Sequence, residues 1–207
     1  SVLESLIDFE KEISVIVARN ERGDISCFPA TEALFNPEAN LVEFLFSPAT
    51  ITDSVEQQAN EIAIKLAKEL KIVGILAVEM FVTKDGTVLV NEIAPRAHNS
   101  GHHSIEGNVT SQFEQHIRAI CNLPLGDTSI TRPAVMINLL GEKGHEGAAQ
   151  YVGLEEALAQ SGVYVHLYGK AITKPFRKMG HITVVDKDLS VATTKAKALM
   201  NLVKIIS

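Results

Sequence analysis

Apolar and polar residues alternate through much of the first half of the chain, as is typical of half-buried β-strands. One face of the first such strand carries Ile13, Val15 and Val17, whereas Glu12 and Ser14 lie on the other face. The same reasoning predicts strands over residues 25–30, 41–46, 72–82 and 87–93. The last two flank a turn signal at residues 84–86, so they are expected to form a hairpin.

Apolar residues at helical spacing predict four helices. The first begins at Asp53, which stands three residues before Glu56 as a capping box, and it ends before Gly74. The second begins at Ser111, and its apolar residues are expected to face inward: Phe113, Ile117, Ile120 and Cys121. A short helix over residues 153–160 and a last one after Asp188 complete the set.

Turn and polar residues cluster just before Pro133 and mark the best candidate for a domain boundary. We expect residues 1–126 to form one domain and residues 133–207 a smaller, β-rich one. Further strands are predicted there over residues 134–140, 163–168 and 181–186. The expected fold class is α+β, with a mostly antiparallel sheet.

Composition excludes several classes of protein. Apolar residues make up 46% of the chain, which is enough for a core and argues against disorder. The net charge is −6 and no long basic run occurs, so we expect no nucleic-acid partner. No apolar stretch approaches the length of a membrane span, and two distant cysteines fit a reducing cytoplasm. The chain opens at Ser1 without methionine, and we expect it to be a fragment of a longer protein.

Two carboxylates face each other across the predicted hairpin. A two-residue turn at Asp85-Gly86 places Glu79 directly opposite Glu92, and both then point to a largely apolar face. Like charges in that position destabilise each other unless they share a proton, meet an arginine or bind a divalent cation. Two carboxylates are the usual protein contribution to a Mg²⁺ site. The alternative is that one glutamate lies at a solvated edge, and a three-residue turn would break the register.

A loop rich in polar side chains follows the second carboxylate. Between Pro95 and Gly101 it carries four that can grip a planar anion: Arg96, His98, Asn99 and Ser100. The alternative is an ordinary surface loop. A zinc site formed by His98, His102 and Glu106 is disfavoured, because the flanking proline and glycine interrupt the rigid helix that such spacing needs.

These motifs resemble the ATP-grasp superfamily and, within it, the N5-carboxyaminoimidazole ribonucleotide synthase family. The resemblance rests on Ala77-Val78-Glu79-Met80-Phe81-Val82 and on residues 91–102, and extends over residues 110–120, 134–141 and 177–181. It implies a large ATP-grasp subdomain that binds nucleotide and metal within residues 1–126. It also implies that residues 133–207 complete the ribonucleotide site. The implied activity is ATP-dependent carboxylation of 5-aminoimidazole ribonucleotide by bicarbonate, through carboxyphosphate, in purine biosynthesis. The implied enzyme is a cytoplasmic homodimer.

The resemblance assigns residues to ATP and Mg²⁺. Glu79 and Glu92 match the Mg²⁺ ligands, and Asn91 matches a residue at the ATP phosphates. Glu12 matches the carboxylate at the ribose hydroxyls. The hinge that binds adenine matches Glu4, Ser5, Leu6 and Ile7.

Other residues are assigned to the reaction and the second substrate. Bicarbonate, carboxyphosphate and the aminoimidazole are handled at positions that match catalytic Arg96, His98 and Asn99, with Ser100 at the substrate. The ribonucleotide phosphate is held at positions that match Lys170, Arg177 and Lys178. Ala97 and Phe35 depart from the family, which more often has proline and histidine there.

Two other functions stay open at this point. One is a different ATP-grasp enzyme, such as a formate-dependent glycinamide ribonucleotide transformylase. The other is a non-catalytic binding or dimerisation module. The resemblance does not include the N-terminal domain or the phosphate-gripping lysines of these enzymes, so we expect the 207-residue chain to be inactive alone.

Overall fold

The structure, a computed structural model, describes residues 5–36 and 41–207. The helices are α1 (Asp53–Glu69), α2 (Ser104–Gly107), α3 (Gln112–Ile120), α4 (Leu154–Leu158) and α5 (Leu189–Leu202), with a 3-10 turn at Asn99–Gly101. The strands are β1 (Phe9–Arg19), β2 (Ile25–Cys27), β3 (Thr31–Asn36), β4 (Leu41–Ser47), β5 (Gly74–Thr83), β6 (Val88–Ala94), β7 (Ala134–Leu140), β8 (Gly147–Ala148), β9 (Gln150–Val152), β10 (Val163–Leu167), β11 (Ile172–Thr173), β12 (Lys178–Val185) and β13 (Lys204–Ile206).

Nine of these strands pair in one antiparallel sheet, in the order β10-β12-β7-β4-β3-β1-β5-β6, with β2 paired to the end of β1. The pairing of β4 with β7 joins the strands of the first part of the chain to those of the second. Two small sheets, β8 with β11 and β9 with β13, lie beside it. The expected α+β fold with a mostly antiparallel sheet is therefore confirmed.

Helices α1 and α5 cover one face of this sheet. The fully buried Ala59, Ala63 and Ala67 of α1 pack against the odd-numbered positions of β1 and against β5. Ala196 and Leu199 of α5 pack in the same way against β7 and β12. Small side chains at helical spacing let both helices approach the sheet closely, so each helix buries one apolar stripe.

The other face of the sheet is covered by the loop after β6 together with α2 and α3. A smaller core lies there, formed by Ile16, Ala18, Phe28, Ile75, Ala77 and Ala94. Beyond this core the same face continues into polar side chains on β1, β5 and β6. The sheet thus buries apolar residues on both faces near its middle and leaves one polar region uncovered by a helix.

The β5–β6 hairpin differs from the prediction in its turn. Val82 pairs with Val88, and the Thr83 amide donates to the Thr87 carbonyl at 3.0 Å, which leaves residues 84–86 as a three-residue loop. Gly86 adopts a left-handed conformation there, with φ of 80°. The expected two-residue turn is therefore wrong. A β-bulge between Glu79 and Met80 then inserts one extra residue on β6, so that Glu79 still pairs with Glu92.

Helix α3 presents the opposite face to that expected. Phe113, Ile117 and Ile120 are 41%, 54% and 47% exposed, and Cys121 is also exposed. The buried positions are instead Gln112, Gln115 and Ala119. The prediction that the apolar residues face inward is wrong, because buried backbone groups of neighbouring loops need the glutamine amides as hydrogen-bond partners.

Two further details of the elements were not predicted correctly. The N-cap of α1 is Thr52, whose Oγ1 accepts a hydrogen bond from the Val55 amide, so Asp53 is the first helical residue. The carboxylate of Glu56 accepts from the Ala30 amide instead of closing a capping box. The returning strand expected over residues 25–30 ends at Cys27, and a separate strand, β3, follows it. The caps of α3 and α5 are Ser111 and Asp188, as expected.

Candidate functional site

Three neighbouring strands bring the candidate carboxylates together. Ser14 of β1 pairs with Glu79 of β5, and Glu79 pairs with Glu92 of β6. Because side chains two residues apart share a face of a strand, Glu12 lies on the same side. A cleft of about 220 Å³ opens over this face; among its lining residues are Glu12, Ser14, Phe35, Glu79, Glu92, His98, Asn99, Ser100 and Lys178.

The carboxylates of this cleft repel one another. Burial raises the pKa of Glu79, and the charges of Glu92 and Glu12 raise it further, whereas Lys178 and Arg96 lower it. Burial also raises the pKa of Glu12. Glu92 is exposed and the side chain of Glu79 is 25% exposed, so the expectation that both lie on a largely apolar face is wrong. The cleft is a partly open site with an excess of negatively charged side chains, two of which face each other.

Lys178 is the basic side chain of β12 that lines the cleft with the carboxylates. Burial lowers its pKa, the charge of Glu79 raises it, and the charges of Arg96 and Lys170 lower it. The two charges favour each other's ionised forms, because Lys178 lowers the pKa of Glu79 and Glu79 raises that of Lys178. Lys178 therefore brings a positive charge from the second part of the chain to the cleft.

The loop after β6 brings His98 to Glu79. The His98 Nδ1 accepts from the Ser100 amide, so the proton is on Nε2, which lies 3.2 Å from Glu79 Oε1. Ser100 Oγ lies 2.9 Å from His98 Nδ1 and 2.9 Å from Ser14 Oγ. Burial lowers the pKa of His98 to about 4, with contributions from the charges of Arg96 and Lys178. The ring is therefore neutral near pH 7, and its contact with Glu79 is a hydrogen bond between a neutral donor and a carboxylate.

A stack of imidazole rings lies next to this loop. The ring of His181 on β12 stacks against His102 at 4.8 Å and against His166 of β10 at 4.5 Å between centroids. Tyr168 Oη lies 3.0 Å from His181 Nδ1, and His166 Nε2 lies 2.7 Å from a carboxylate oxygen of Glu106. The stack joins the loop after β6 to the strands of the second part of the chain.

The three residues of the disfavoured zinc arrangement each contact a different partner. His98 contacts Glu79, His102 stacks on His181, and Glu106 pairs with His166. Across residues 5–36 and 41–207, no group of three or more histidine, cysteine or acidic side chains has the arrangement of a metal site made by protein ligands alone. The Glu79–Glu92 pair places two carboxylates opposite each other, and Mg²⁺ sites commonly take one or two carboxylates from a protein when substrate phosphates complete the shell.

The other candidate residues lie at varying distances from the cleft. Asn99 lines it, and its Nδ2 is buried without a partner. Arg96 is exposed and donates to the Ala97 carbonyl at 3.0 Å. Asn91, the extra residue of the bulge on β6, is exposed. In the expected adenine hinge, Ser5 and Leu6 are exposed and Ile7 is half-buried, whereas Glu4 lies outside the described residues.

The three basic residues expected at the ribonucleotide phosphate are not equivalent. Lys170 donates to the Lys178 carbonyl at 2.6 Å and its ammonium lies 5.6 Å from the centroid of the Tyr168 ring. Arg177 donates to the Ile172 carbonyl at 2.8 Å. Neither is among the residues that line the cleft, whereas Lys178 is.

Sequence reasoning missed several residues that build this region. Ser14 was recognised only as a polar position of β1, although a serine between apolar neighbours in a central strand is a usable signal. Gln112 and the partners of His181 gave no signal, because their contacts join residues that are far apart in the chain.

None of the helices in the described part of the chain has the length and apolar character needed to cross a bilayer.

Comparison with known proteins identifies the family. Residues 1–113 match the ATP-grasp domain, and residues 134–195 match the phosphoribosylaminoimidazole carboxylase C-terminal domain. The N5-carboxyaminoimidazole ribonucleotide synthase of Bacillus subtilis is 48% identical over 183 residues, which cover 88% of this chain and 46% of that protein.

Solved structures agree with this comparison. The N5-carboxyaminoimidazole ribonucleotide synthetase of Thermotoga maritima has a TM-score of 0.91 at 51% identity, covering 99% of this chain and 54% of that one. The Aspergillus clavatus N5-carboxyaminoimidazole synthase, solved with ADP and 5-aminoimidazole ribonucleotide, has a TM-score of 0.84 at 35% identity, covering 95% of this chain and 52% of that one. The chain thus spans about half the length of these relatives. It belongs to the ATP-grasp family, in the branch formed by the N5-carboxyaminoimidazole ribonucleotide synthases.

Proposed function

We propose that the whole enzyme containing this chain carboxylates 5-aminoimidazole ribonucleotide, using ATP and bicarbonate. The observation that carries this proposal is the cleft in which Glu79 and Glu92 face each other beside His98, Asn99 and Lys178. The A. clavatus relative, whose structure holds ADP and 5-aminoimidazole ribonucleotide, supports the choice of substrates.

Glu79 and Glu92 are the proposed Mg²⁺ ligands, with Asn91 beside them at the ATP phosphates. Their fit to the metal rests on the donor set, because two facing carboxylates with a raised pKa at Glu79 gain most from a nearby cation. When bound, Mg²⁺ would supply charge neutralisation at the phosphate oxygens. Glu12, on the same face, is proposed to bind the ribose hydroxyls, and residues 4–7 the adenine.

In the proposed reaction, a bicarbonate oxygen attacks the γ-phosphorus of ATP, ADP leaves, and carboxyphosphate forms. The substrate amine then attacks the carboxyl carbon, the bond from that carbon to the phosphate oxygen breaks, and the departing phosphate takes up the proton that the amine loses. Arg96 and Lys178 are the cations proposed to stabilise the anions, and His98 and Asn99 are proposed donors to them. His98 is neutral near pH 7 and carries its proton on Nε2, which donates to Glu79 in this structure, so the role requires that proton to exchange from Glu79 to the anion.

The second part of the chain is proposed to complete the ribonucleotide site. Residues 133–207 contribute Lys178 to the cleft, and Lys170 supports it by donating to its carbonyl. Lys170 and Arg177 are proposed to hold the ribonucleotide phosphate, with Ser100 as a neutral contact. Each now donates one hydrogen bond to a backbone carbonyl, and its remaining N–H groups are the ones proposed to donate to the phosphate.

The test uses the whole enzyme with Glu92→Gln, assayed by ADP release that depends on the aminoimidazole substrate. We expect a loss of kcat of about 10²-fold or more, because the variant lacks one of the two carboxylates proposed to hold Mg²⁺ at the phosphates. Glu114→Gln is the matched control, since Glu114 lies on the surface of α3 and pairs with Arg118. Near-normal kcat in Glu92→Gln, or turnover with formate in place of bicarbonate, would contradict the proposal.

We also propose a homodimer in the cytoplasm. The exposed apolar face of α3, formed by Phe113, Ile117 and Ile120, supports self-association. Cys27 and Cys121 are free thiols, as is usual in a reducing compartment. Light scattering on the whole enzyme tests the assembly: Ile117→Asp should lower the mass to that of a monomer, and an unchanged dimer would show that this face is not the interface.

A further inference from the structure

The side chain of Gln112 holds the backbone of His98 on both sides. The His98 amide donates to Gln112 Oε1 at 2.9 Å, and Gln112 Nε2 donates to the His98 carbonyl at 2.8 Å. The same Nε2 lies 3.0 Å from His102 Nδ1. Gln112 is completely buried, so these contacts do not compete with bulk water.

His98 needs such a partner because of where it lies. Its backbone is extended, with φ of −124° and ψ of 153°, but it follows β6 and is outside the described strands. Its carbonyl also accepts from the Gly101 amide at 3.0 Å, whereas its amide donates to Gln112 Oε1. A backbone amide left unpaired away from water is costly. The side-chain carboxamide of Gln112 therefore pairs with the backbone of His98 in the way that a neighbouring strand would.

The surrounding packing keeps the glutamine in this position. The Gln112 amide donates to Ser104 Oγ at 2.9 Å, which ties the start of α3 to α2. A Cβ at Gly101 would lie 2.6 Å from Gln112 Oε1 and 2.2 Å from Ile16 Cδ1, so the glycine leaves the space that the glutamine occupies. The helix therefore fixes the backbone of Gln112, and the loop leaves room for its side chain.

We infer that Gln112 is a positioning residue for His98. By fixing both backbone groups of His98, it sets the direction of the Cα–Cβ bond, so that the ring lies between Glu79 and Ser100. The inference rests on the proposed function for its kinetic consequence, although the contact itself does not depend on it. A displacement of the ring by about 1 Å is enough to cost up to 10²-fold in rate when geometry limits the reaction.

Helix α3 supplies a matched control in Gln115. This residue is also completely buried, and its amide makes the same pair of contacts with another loop: the Gly126 amide donates to Oε1 at 2.8 Å, and Nε2 donates to the Gly126 carbonyl at 3.0 Å. Gly126 does not line the cleft. Gln115→Met therefore removes two comparable hydrogen bonds from the same helix without touching His98.

The kinetic experiment compares Gln112→Met with Gln115→Met in the whole enzyme. We expect kcat to fall by about tenfold or more in Gln112→Met, with the KM for ATP changed by less than about threefold, because His98 is displaced while the nucleotide contacts remain. Gln115→Met should keep kcat within about twofold of wild type. Equal losses in the two variants would show that Gln112 is only structural and would overturn the inference. If Gln112→Met does not fold, Gln112→Asn should give the same loss, because it keeps a polar amide but is one methylene too short to reach both backbone groups of His98.

Amide hydrogen exchange on the 207-residue chain tests the contact without the reaction. Gln112→Met should lose protection at the His98 amide and keep it at Gly126, whereas Gln115→Met should show the reverse. His98 protection that survives in Gln112→Met overturns the inference. If the wild-type enzyme releases no ADP in response to the aminoimidazole substrate, the proposed function fails, and the exchange result still decides the contact.

Discussion

We expect acid to destabilise this protein because two buried histidines bind protons more readily in the unfolded chain than in the folded protein. His103 and His181 are each 3% exposed. Burial lowers the pKa of His103 to about 4, with the charge of His102 adding to the effect and a hydrogen bond to the Ser100 carbonyl opposing it. Burial lowers the pKa of His181 to about 3, helped by the charges of His102 and His166. Both rings are therefore neutral in the folded protein at pH values where they would be protonated in the unfolded chain.

The sign and size of the effect follow from linkage. Above about pH 6.5 the rings are neutral in both states and contribute no pH dependence. Below it the unfolded chain binds a proton at each ring and the folded protein does not, so the free energy of unfolding falls with pH. At pH 5, about 1.5 units below the unfolded pKa, the loss is about 2 kcal/mol for each histidine. Together the two remove about 4 kcal/mol, a large share of a typical stability of about 5–15 kcal/mol.

The assay is urea unfolding followed by far-UV circular dichroism from pH 7.5 to 4.5, since the chain has no tryptophan. His181→Asn and His103→Asn keep a polar atom near the position of Nδ1, which contacts Tyr168 in one case and the Ser100 carbonyl in the other. Each variant should reduce the slope of unfolding free energy against pH by about 1.4 kcal/mol per unit below pH 6. Variants whose curves run parallel to that of wild type would refute the reasoning.

Three further outcomes are expected from stability measurements. Gly101→Ala should lower the urea midpoint, at a cost of about 1–3 kcal/mol, because its Cβ would lie 2.2 Å from Ile16 Cδ1. Leu199→Ala, on the buried face of α5, should lower the free energy of unfolding by about 2–5 kcal/mol, whereas Val191→Ser, on the exposed face of the same helix, should change it by less than about 0.5 kcal/mol. Similar costs would mean that α5 buries both faces. Glu79→Gln should raise Tm at pH 7, since a raised pKa means that the ionised carboxylate is disfavoured there; a lower Tm would show that the charge is well compensated.

The sequence was most informative about the face-to-face pairing of carboxylates. Alternation along β5 and β6, together with an expected two-residue turn, predicted that Glu79 and Glu92 pair, and they do. The turn itself has one more residue than expected, and the bulge at Asn91 compensates for it. Local rules fix which residues share a face of a strand, but a bulge depends on how the two strands twist together, so the agreement at this pair needed both deviations.

Helix α3 shows where periodicity stops being informative. Its spacing correctly predicts a helix that begins after Ser111, because capping and helical period are local properties. The loops beneath the helix decide which face turns inward, because the backbone amides of His98 and Gly126 donate to the side chains of Gln112 and Gln115. The spacing of apolar residues therefore predicts the helix and its apolar face, but the tertiary structure determines whether that face is buried.

Some features of the cleft could likewise be predicted from the sequence, whereas others depend on the tertiary structure. Sequence alone identified its carboxylates and the polar loop, because they stand in or directly after strands whose alternation is readable. The place of Lys178 beside Glu79, the ring of His98 between Glu79 and Ser100, and the stack of His102 on His181 come from the tertiary structure. Apart from the local contact of His98 with Ser100, these contacts join residues about 20 to 100 positions apart in the chain, and no local propensity encodes contacts at such separations. They form because one continuous sheet brings β5, β6 and β12 under the same loop.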